Sequence, residues 1–277
     1  DVIATARTTG LDLADGAATA DFLAAHRPEV IYHLAGDSDV GGSWNHPLDT
    51  FRANAEVTLT LLAAARDTGV ERVVAIGSAD VYGKVTSDEL PLTETSELRP
   101  TSPYAASKVA ADYLSLQAHL GYGQAVIRVR PFNHIGPGQS PRFVAPAIAS
   151  RIVANERDGG TEVPVGNLEP RRDLTDVRDV VRAYRLLALH GEGGGVYNVC
   201  SGRDVAIRDL AEQLVALATA PMRLVPDPEL QRPVDIPVLR GDHSRLTAAT
   251  GWVPEIPLAD TLRDLLDECR SRAHGTN

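Results

Sequence analysis

The sequence predicts an α/β protein: a doubly wound parallel sheet with a smaller C-terminal α/β lobe. Three observations carry this. Nearly continuous Val- and Ile-rich runs recur through the first 130 residues, as strands buried on both faces require. Helical stretches alternate with them, which argues for βαβ units. Beyond residue 130 the pattern breaks into short elements separated by Pro- and Gly-rich connections, the composition of a loop-laced second lobe.

In chain order, "VIATAR" (2–7), "EVIYHLAG" (29–36), "RVVAIGS" (72–78) and "QAVIRVR" (124–130) read as strands. Between them, residues 18–27, 47–69 and 102–121 read as helices, the last two stopping at Gly69 and Gly121, where a left-handed cap residue is expected. "PFNHIGPGQSPR" (131–142) reads as a loop. Helices are expected near 143–157, 176–190, 206–219 and 258–270, with short strands near 196–199 and 222–225. This divides the chain into a larger domain, residues 1–130 with about 176–204, and a second lobe, 131–175 with 205–277.

Composition narrows the function. A net charge of −10 argues against a nucleic-acid surface, and no apolar run is long enough to span a membrane. Cys200 and Cys269 stand far apart and outside any metal-ligand spacing, as reduced cysteines of a cytoplasmic protein do. No metal site is expected.

Only two of 27 basic Lys and Arg residues are lysines, and one of them, Lys108, follows Tyr104 by four positions in a helical segment. Both side chains then share a helix face. An ammonium there favours phenolate and lowers the tyrosine pKa, fitting Tyr104 for proton transfer near neutrality. Ser78 ends a parallel strand, at the edge of the sheet where open α/β folds bind ligands. Its hydroxyl can share a carbonyl oxygen with Tyr104. Asp80 reads as well as a turn residue as a functional one. His134 reads as a loop residue with a packing role, and His33 as a core histidine.

Ser78, Tyr104 and Lys108, in this order, resemble the extended, nucleotide-sugar-modifying branch of the short-chain dehydrogenase/reductase family, whose larger domain is Rossmann-like. The resemblance covers essentially the whole chain. It implies that Leu34, Ala35 and Gly36 of "YHLAG" pass beneath the cofactor ribose and pyrophosphate. In "GLDLAD", Asp12 would bond the adenine amine, with Leu13 beside the ring. Asn54 would steady the active-site backbone. For the substrate, the resemblance implies contacts from Asn133 and Arg172, pyrophosphate binding by Arg232 and ribose binding by Asp235; Arg forks suit phosphate oxygens and a carboxylate suits a diol. It further implies a GDP-sugar substrate and a homodimer formed through the Tyr-x-x-x-Lys helix and the helix before it.

The reaction implied is NAD(P)H-dependent reduction of the C4 ketone of GDP-4-keto-6-deoxy-D-mannose to GDP-D-rhamnose. Dehydratases of this branch follow the hydroxyl residue with Asp and Glu; here Ala79 and Asp80 follow Ser78, and alanine supplies no proton. A 4-epimerase or 4,6-dehydratase of another nucleotide sugar is the alternative within the family, and a non-catalytic cofactor sensor is the alternative outside enzymes. At the end of the first strand Ala6 and Arg7 stand where NAD-specific relatives carry an acid, so Arg7 is expected to meet a 2′-phosphate, with NADPH preferred and NADH possible. No Gly-x-x-Gly-x-x-Gly occurs in the sequence. A strand, Gly-rich turn and helix of about 30 residues are therefore expected to precede Asp1 in a longer enzyme. The 277 residues alone are expected to bind NADPH poorly and to show no reductase activity.

Overall fold

The computed structural model describes residues 2–230 and 236–274. The first helix, α1 (Gly16–His26), is capped by Asp15, whose carboxylate accepts from the Ala18 amide at 3.0 Å. It leads into β1 (Val30–His33). Next comes a helical segment in three parts: α2 (Pro47–Phe51), a π-helical turn over Arg52–Glu56, and α3 (Val57–Asp67). β2 (Arg72–Ile76), α4 (Pro103–Tyr122) and β3 (Val126–Pro131) complete the first half. α4 runs through Gly121 and stops two residues later than expected, at Gly123 with φ +72°.

β4 (Asn133–Ile135) follows, then α5 (Val144–Asp158), β5 (Glu162–Val165) and β6 (Arg171–Asp176). α6 (Val177–His190) and β7 (Val196–Val199) return to the first sheet. The remainder comprises β8 (Asp204–Ala206), α7 (Ile207–Ala216), β9 (Arg223–Pro226), β10 (Val238–Leu239), α8 (Ser244–Thr250) and α9 (Leu258–His274).

The main sheet is parallel throughout, in the order β1-β2-β3-β7. On one face α1 and α3 bury Leu23, Leu61, Leu62 and Ala65 against Val73 and Val126. On the other, α6 buries Val180, Ala183 and Leu187 against Val74, Ile127 and Val129. Trp252 and Leu246 join that second face from the C-terminal segment. A separate core gathers α5, α7 and α9 around Ile148, Ile152, Leu210, Leu214 and Leu262. Short ladders flank it: β10-β6-β4 with β8 on β6, and β5 beside β9.

Two expectations are corrected here. Residues 2–6 form no strand; they are exposed, pair with no strand among the described residues, and end in a 3₁₀ turn at Arg7–Thr9. Without a ladder partner the apolar character of "VIATAR" cannot make a strand. Residues 131–142 are not wholly loop, because Asn133–Ile135 pair with Leu174–Asp176.

Candidate active site

Tyr104 sits in the first turn of α4, after Ser102, whose hydroxyl accepts from the Ala105 amide at 3.1 Å, and Pro103. That Ser-Pro start fixes where the helix begins, and with it the direction in which Tyr104 and Lys108 point. The buried stripe of α4 continues through Ser107, Ala111, Asp112, Ser115 and Ala118. These small and polar residues let the helix lie close to the sheet, and they carry Tyr104 and Lys108 inside with it. Lys84, by contrast, is exposed.

Ser78 follows β2 and caps the 3₁₀ turn Ala79–Tyr82, its Oγ accepting from the Asp80 amide at 3.1 Å. Gly77 makes this exit possible: its amide donates to the Val129 carbonyl at 2.7 Å, and a Cβ there would stand 2.9 Å from the same oxygen. The Ser78 hydroxyl lies near enough to the Tyr104 phenol to favour its ionised form. Lys108 Nζ donates to the Ile76 carbonyl at 3.2 Å. The three residues selected from the sequence thus converge at the carboxyl end of β2.

Electrostatics differ from the expectation in one respect. Burial pushes the Tyr104 phenol above its ordinary value, Asp80 and Asp37 add to the rise, and only the nearby Ser78 hydroxyl opposes it. The lowering expected from the Lys108 spacing is therefore not present in the chain by itself. Burial also lowers Lys108, to about 8, although Asp37 works against this. The phenol is a neutral donor at pH 7.

Asn54 lies in the π-helical turn, a feature that recurs at functional sites because it rotates one residue out of helical register. Fully buried, it accepts from the Asp37 amide at 2.9 Å and donates to Ser107 Oγ at 2.9 Å. Ser107 in turn donates to the Tyr104 carbonyl at 2.7 Å. Gly36 packs against this asparagine so closely that a Cβ would meet Asn54 Oδ1 at 2.5 Å and Lys108 Nζ at 3.5 Å. Leu34, Ala35 and Gly36 lie exposed at the end of β1. Ala35 and Gly36 leave a side-chain-poor floor beside Lys108, with Leu34 exposed next to it, which fits the ribose and pyrophosphate of a dinucleotide.

The other expected residues are more dispersed. Arg7 is exposed in its 3₁₀ turn. Asp12 is exposed and accepts from the Ala14 amide at 3.0 Å, while Leu13 packs against the α1–α3 core. Asn133 is exposed on β4. Arg172, half-buried on β6, donates through Nη1 to the Arg171 and Ile236 carbonyls at 2.9 and 2.6 Å. Arg232 and Asp235 lie outside the described residues. His134 places Nδ1 3.2 Å from the Phe132 carbonyl, and His33 is buried on β1.

Sequence reasoning missed the supports. Asp37 accepts from Thr50 Oγ1 at 3.0 Å and from the Asp39 amide at 2.9 Å, and so faces Lys108 from a fixed position. Asp173 is buried under four donors from Ser201, Gly202 and Gly241. Arg128 and Arg130 on β3 converge on Asp112 of α4 at 2.9–3.2 Å. The only available signal for that cluster was two arginines at alternate positions in an otherwise apolar strand.

A parallel sheet with Ser, Tyr and Lys gathered at one strand end defines a Rossmann-like short-chain dehydrogenase/reductase of the extended type. The family model described as GDP-mannose 4,6 dehydratase matches residues 4–265, and the chain belongs to that family. It is 42% identical over 248 residues to the GDP-6-deoxy-D-mannose reductase of Pseudomonas aeruginosa, covering 88% of this chain and 81% of the relative. The structure of RMD from Pseudomonas aeruginosa complexed with NADPH superposes with a TM-score of 0.89 at 39% identity, over 94% of this chain and 87% of that one. A UDP-glucose 4-epimerase from Thermus thermophilus complexed with NAD reaches a TM-score of 0.84 at 30% identity, over 94% and 83%.

Proposed function

We propose that this protein is an NADPH-dependent reductase that converts GDP-4-keto-6-deoxy-D-mannose to GDP-D-rhamnose. Likeness to the Pseudomonas reductase, and to its structure with NADPH, supports substrate and cofactor. The observation that carries the choice among family reactions is Ala79, between Ser78 and Asp80. An elimination of water needs an acid at that position; carbonyl reduction does not.

NADPH, when bound, supplies the hydride that adds to C4. Tyr104 then gives its proton to the ketone oxygen, and its raised pKa keeps the proton in place until it is needed. Ser78, beside the same phenol, orients that oxygen. Lys108 contributes a positive charge beside the cofactor ribose, held over the floor of Ala35 and Gly36. Asn54 fixes both sides of the site at once, Asp37 on one and Ser107 on the other. We assign Arg7, Asp12 and Leu13 to the adenosine half of NADPH, and Asn133, Arg172, Arg232 and Asp235 to the GDP moiety.

This reading places the cofactor on residues 1–130 with 176–204 and the sugar nucleotide on 131–175 with 205–277. The separate apolar cores of the main sheet and of α5, α7 and α9 support two lobes, except that α8 and Trp252 pack on the main sheet rather than in the second lobe. Adjacent α3 and α4 leave Leu59, Tyr113 and Leu120 exposed, which supports a homodimer through these helices. Dependence on NADPH and a nucleotide sugar suits the cytoplasm. Turnover with the keto-sugar and NADPH, but none with GDP-mannose alone, is the expected outcome; consumption of GDP-mannose alone would place the protein among the dehydratases.

A further inference from the structure

His33, Ala75 and Arg128 stand in register across three adjacent strands, since His33 pairs with Ala75 in β2 and Ala75 pairs with Arg128 in β3. Partnered residues point to the same side of a sheet. A methyl group thus lies between two long polar side chains. The space it leaves is a small, partly open pocket with room of about 10 Å³, lined by these three residues together with Thr58, Ile76 and Asp112. That volume holds one water molecule.

Two buried polar atoms of the lining residues have no protein partner: His33 Nδ1 and Arg128 Nε. Their roles are complementary. Thr58 Oγ1 donates its single proton to the Asn54 carbonyl at 2.6 Å, so at 2.9 Å from His33 Nε2 it must accept. Nε2 therefore carries the hydrogen, and Nδ1 of the neutral ring is an acceptor. Arg128 Nε–H is a donor, and its Nη1 is already committed to Asp112 at 2.9 Å. An acceptor and a donor, each costly to leave unpaired, thus belong to two residues that line one water-sized space.

We propose that this pocket is a binding site for one ordered water, which accepts from Arg128 Nε–H and donates to His33 Nδ1. The water joins the chain His33–Thr58–Asn54 to the Asp112–Arg128–Arg130 ion cluster across β2. It thereby braces, on the face covered by α4, the strand end that carries Ser78 and whose Ile76 carbonyl receives Lys108.

A crystal structure at about 1.6 Å resolution, where ordered waters are visible though hydrogens are not, tests the site directly. Density within hydrogen-bond distance of both His33 Nδ1 and Arg128 Nε is expected. In solution, imidazole ¹⁵N spectra should show Nε2 protonated and Nδ1 bare, with a water cross-peak to the His33 Hε1 proton. Ala75→Val fills the space, and the cross-peak should vanish. An empty pocket, a protonated Nδ1, or a cross-peak that persists in Ala75→Val overturns the proposal.

Discussion

Lys108 Nζ is anchored on the Ile76 carbonyl, 3.2 Å away and two residues before Ser78, rather than resting free beside the Tyr104 phenol. The ammonium is buried, and burial lowers its pKa to about 8. A group depressed in this way is charged below that value and loses its charge as pH rises through it. If the charge is needed to hold the cofactor, kcat/KM for NADPH should fall on the alkaline side with an apparent pKa near 8. A profile flat to about pH 10, the ordinary lysine range, contradicts the role given to Lys108.

Tyr104→Phe removes the proton donor and leaves its ring in place. A loss of general-acid catalysis is worth about 10²- to 10⁴-fold in kcat, with substrate affinity little changed. Steady-state rates together with calorimetric binding of the GDP-sugar check this. Unchanged kcat would remove Tyr104 from the chemistry.

Gly36→Ala sets a methyl 2.5 Å from Asn54 Oδ1, so the bond from the Asp37 amide to that oxygen must break or shift. The floor under the cofactor moves with it. One such bond is worth about 1 kcal/mol, so NADPH affinity should drop about fivefold. Titration of the variant by NADPH fluorescence reads this directly, and wild-type affinity would show that the cofactor does not lie over Gly36.

Asp112→Ala leaves Arg128 and Arg130 buried, with side-chain exposures of 10% and 5%, and without their shared carboxylate. Breaking a buried ion pair by removing one partner costs about 3–5 kcal/mol. The urea midpoint should shift down accordingly. A shift below about 1 kcal/mol, the range of surface pairs, would mean that the cluster is effectively solvated.

Tyr104 and Lys108 were legible because four-residue spacing on a helix maps straight onto one face, and the structure buries both on the stripe of α4. Ser78 was legible because a strand end is where side chains are free to face a ligand. The strands β4, β6, β8 and β10 were not. They span two to six residues, and the Asp173–Asp176 half of "RRDLTD" is buried with Ser201, Gly202 and Gly241 supplying donors to Asp173 from distant parts of the chain. Nor could periodicity reveal the π-helical turn at Asn54, since one extra residue leaves the apolar pattern of 47–69 nearly intact. The Tyr104 pKa was misjudged for a similar reason: spacing reports the lysine, whereas burial and the carboxylates of Asp37 and Asp80 come from the tertiary fold.

The central claim is hydride transfer to C4 of the keto-sugar with Tyr104 as acid. Its most direct test supplies the full-length protein with GDP-4-keto-6-deoxy-D-mannose and NADPH deuterated on the transferred face, and reads the sugar by NMR. The expected product is GDP-D-rhamnose carrying deuterium at C4, formed by the wild-type protein and not by Tyr104→Phe. Recovery of the keto-sugar unlabelled, or a product with deuterium at C5 or C6 instead, would contradict it.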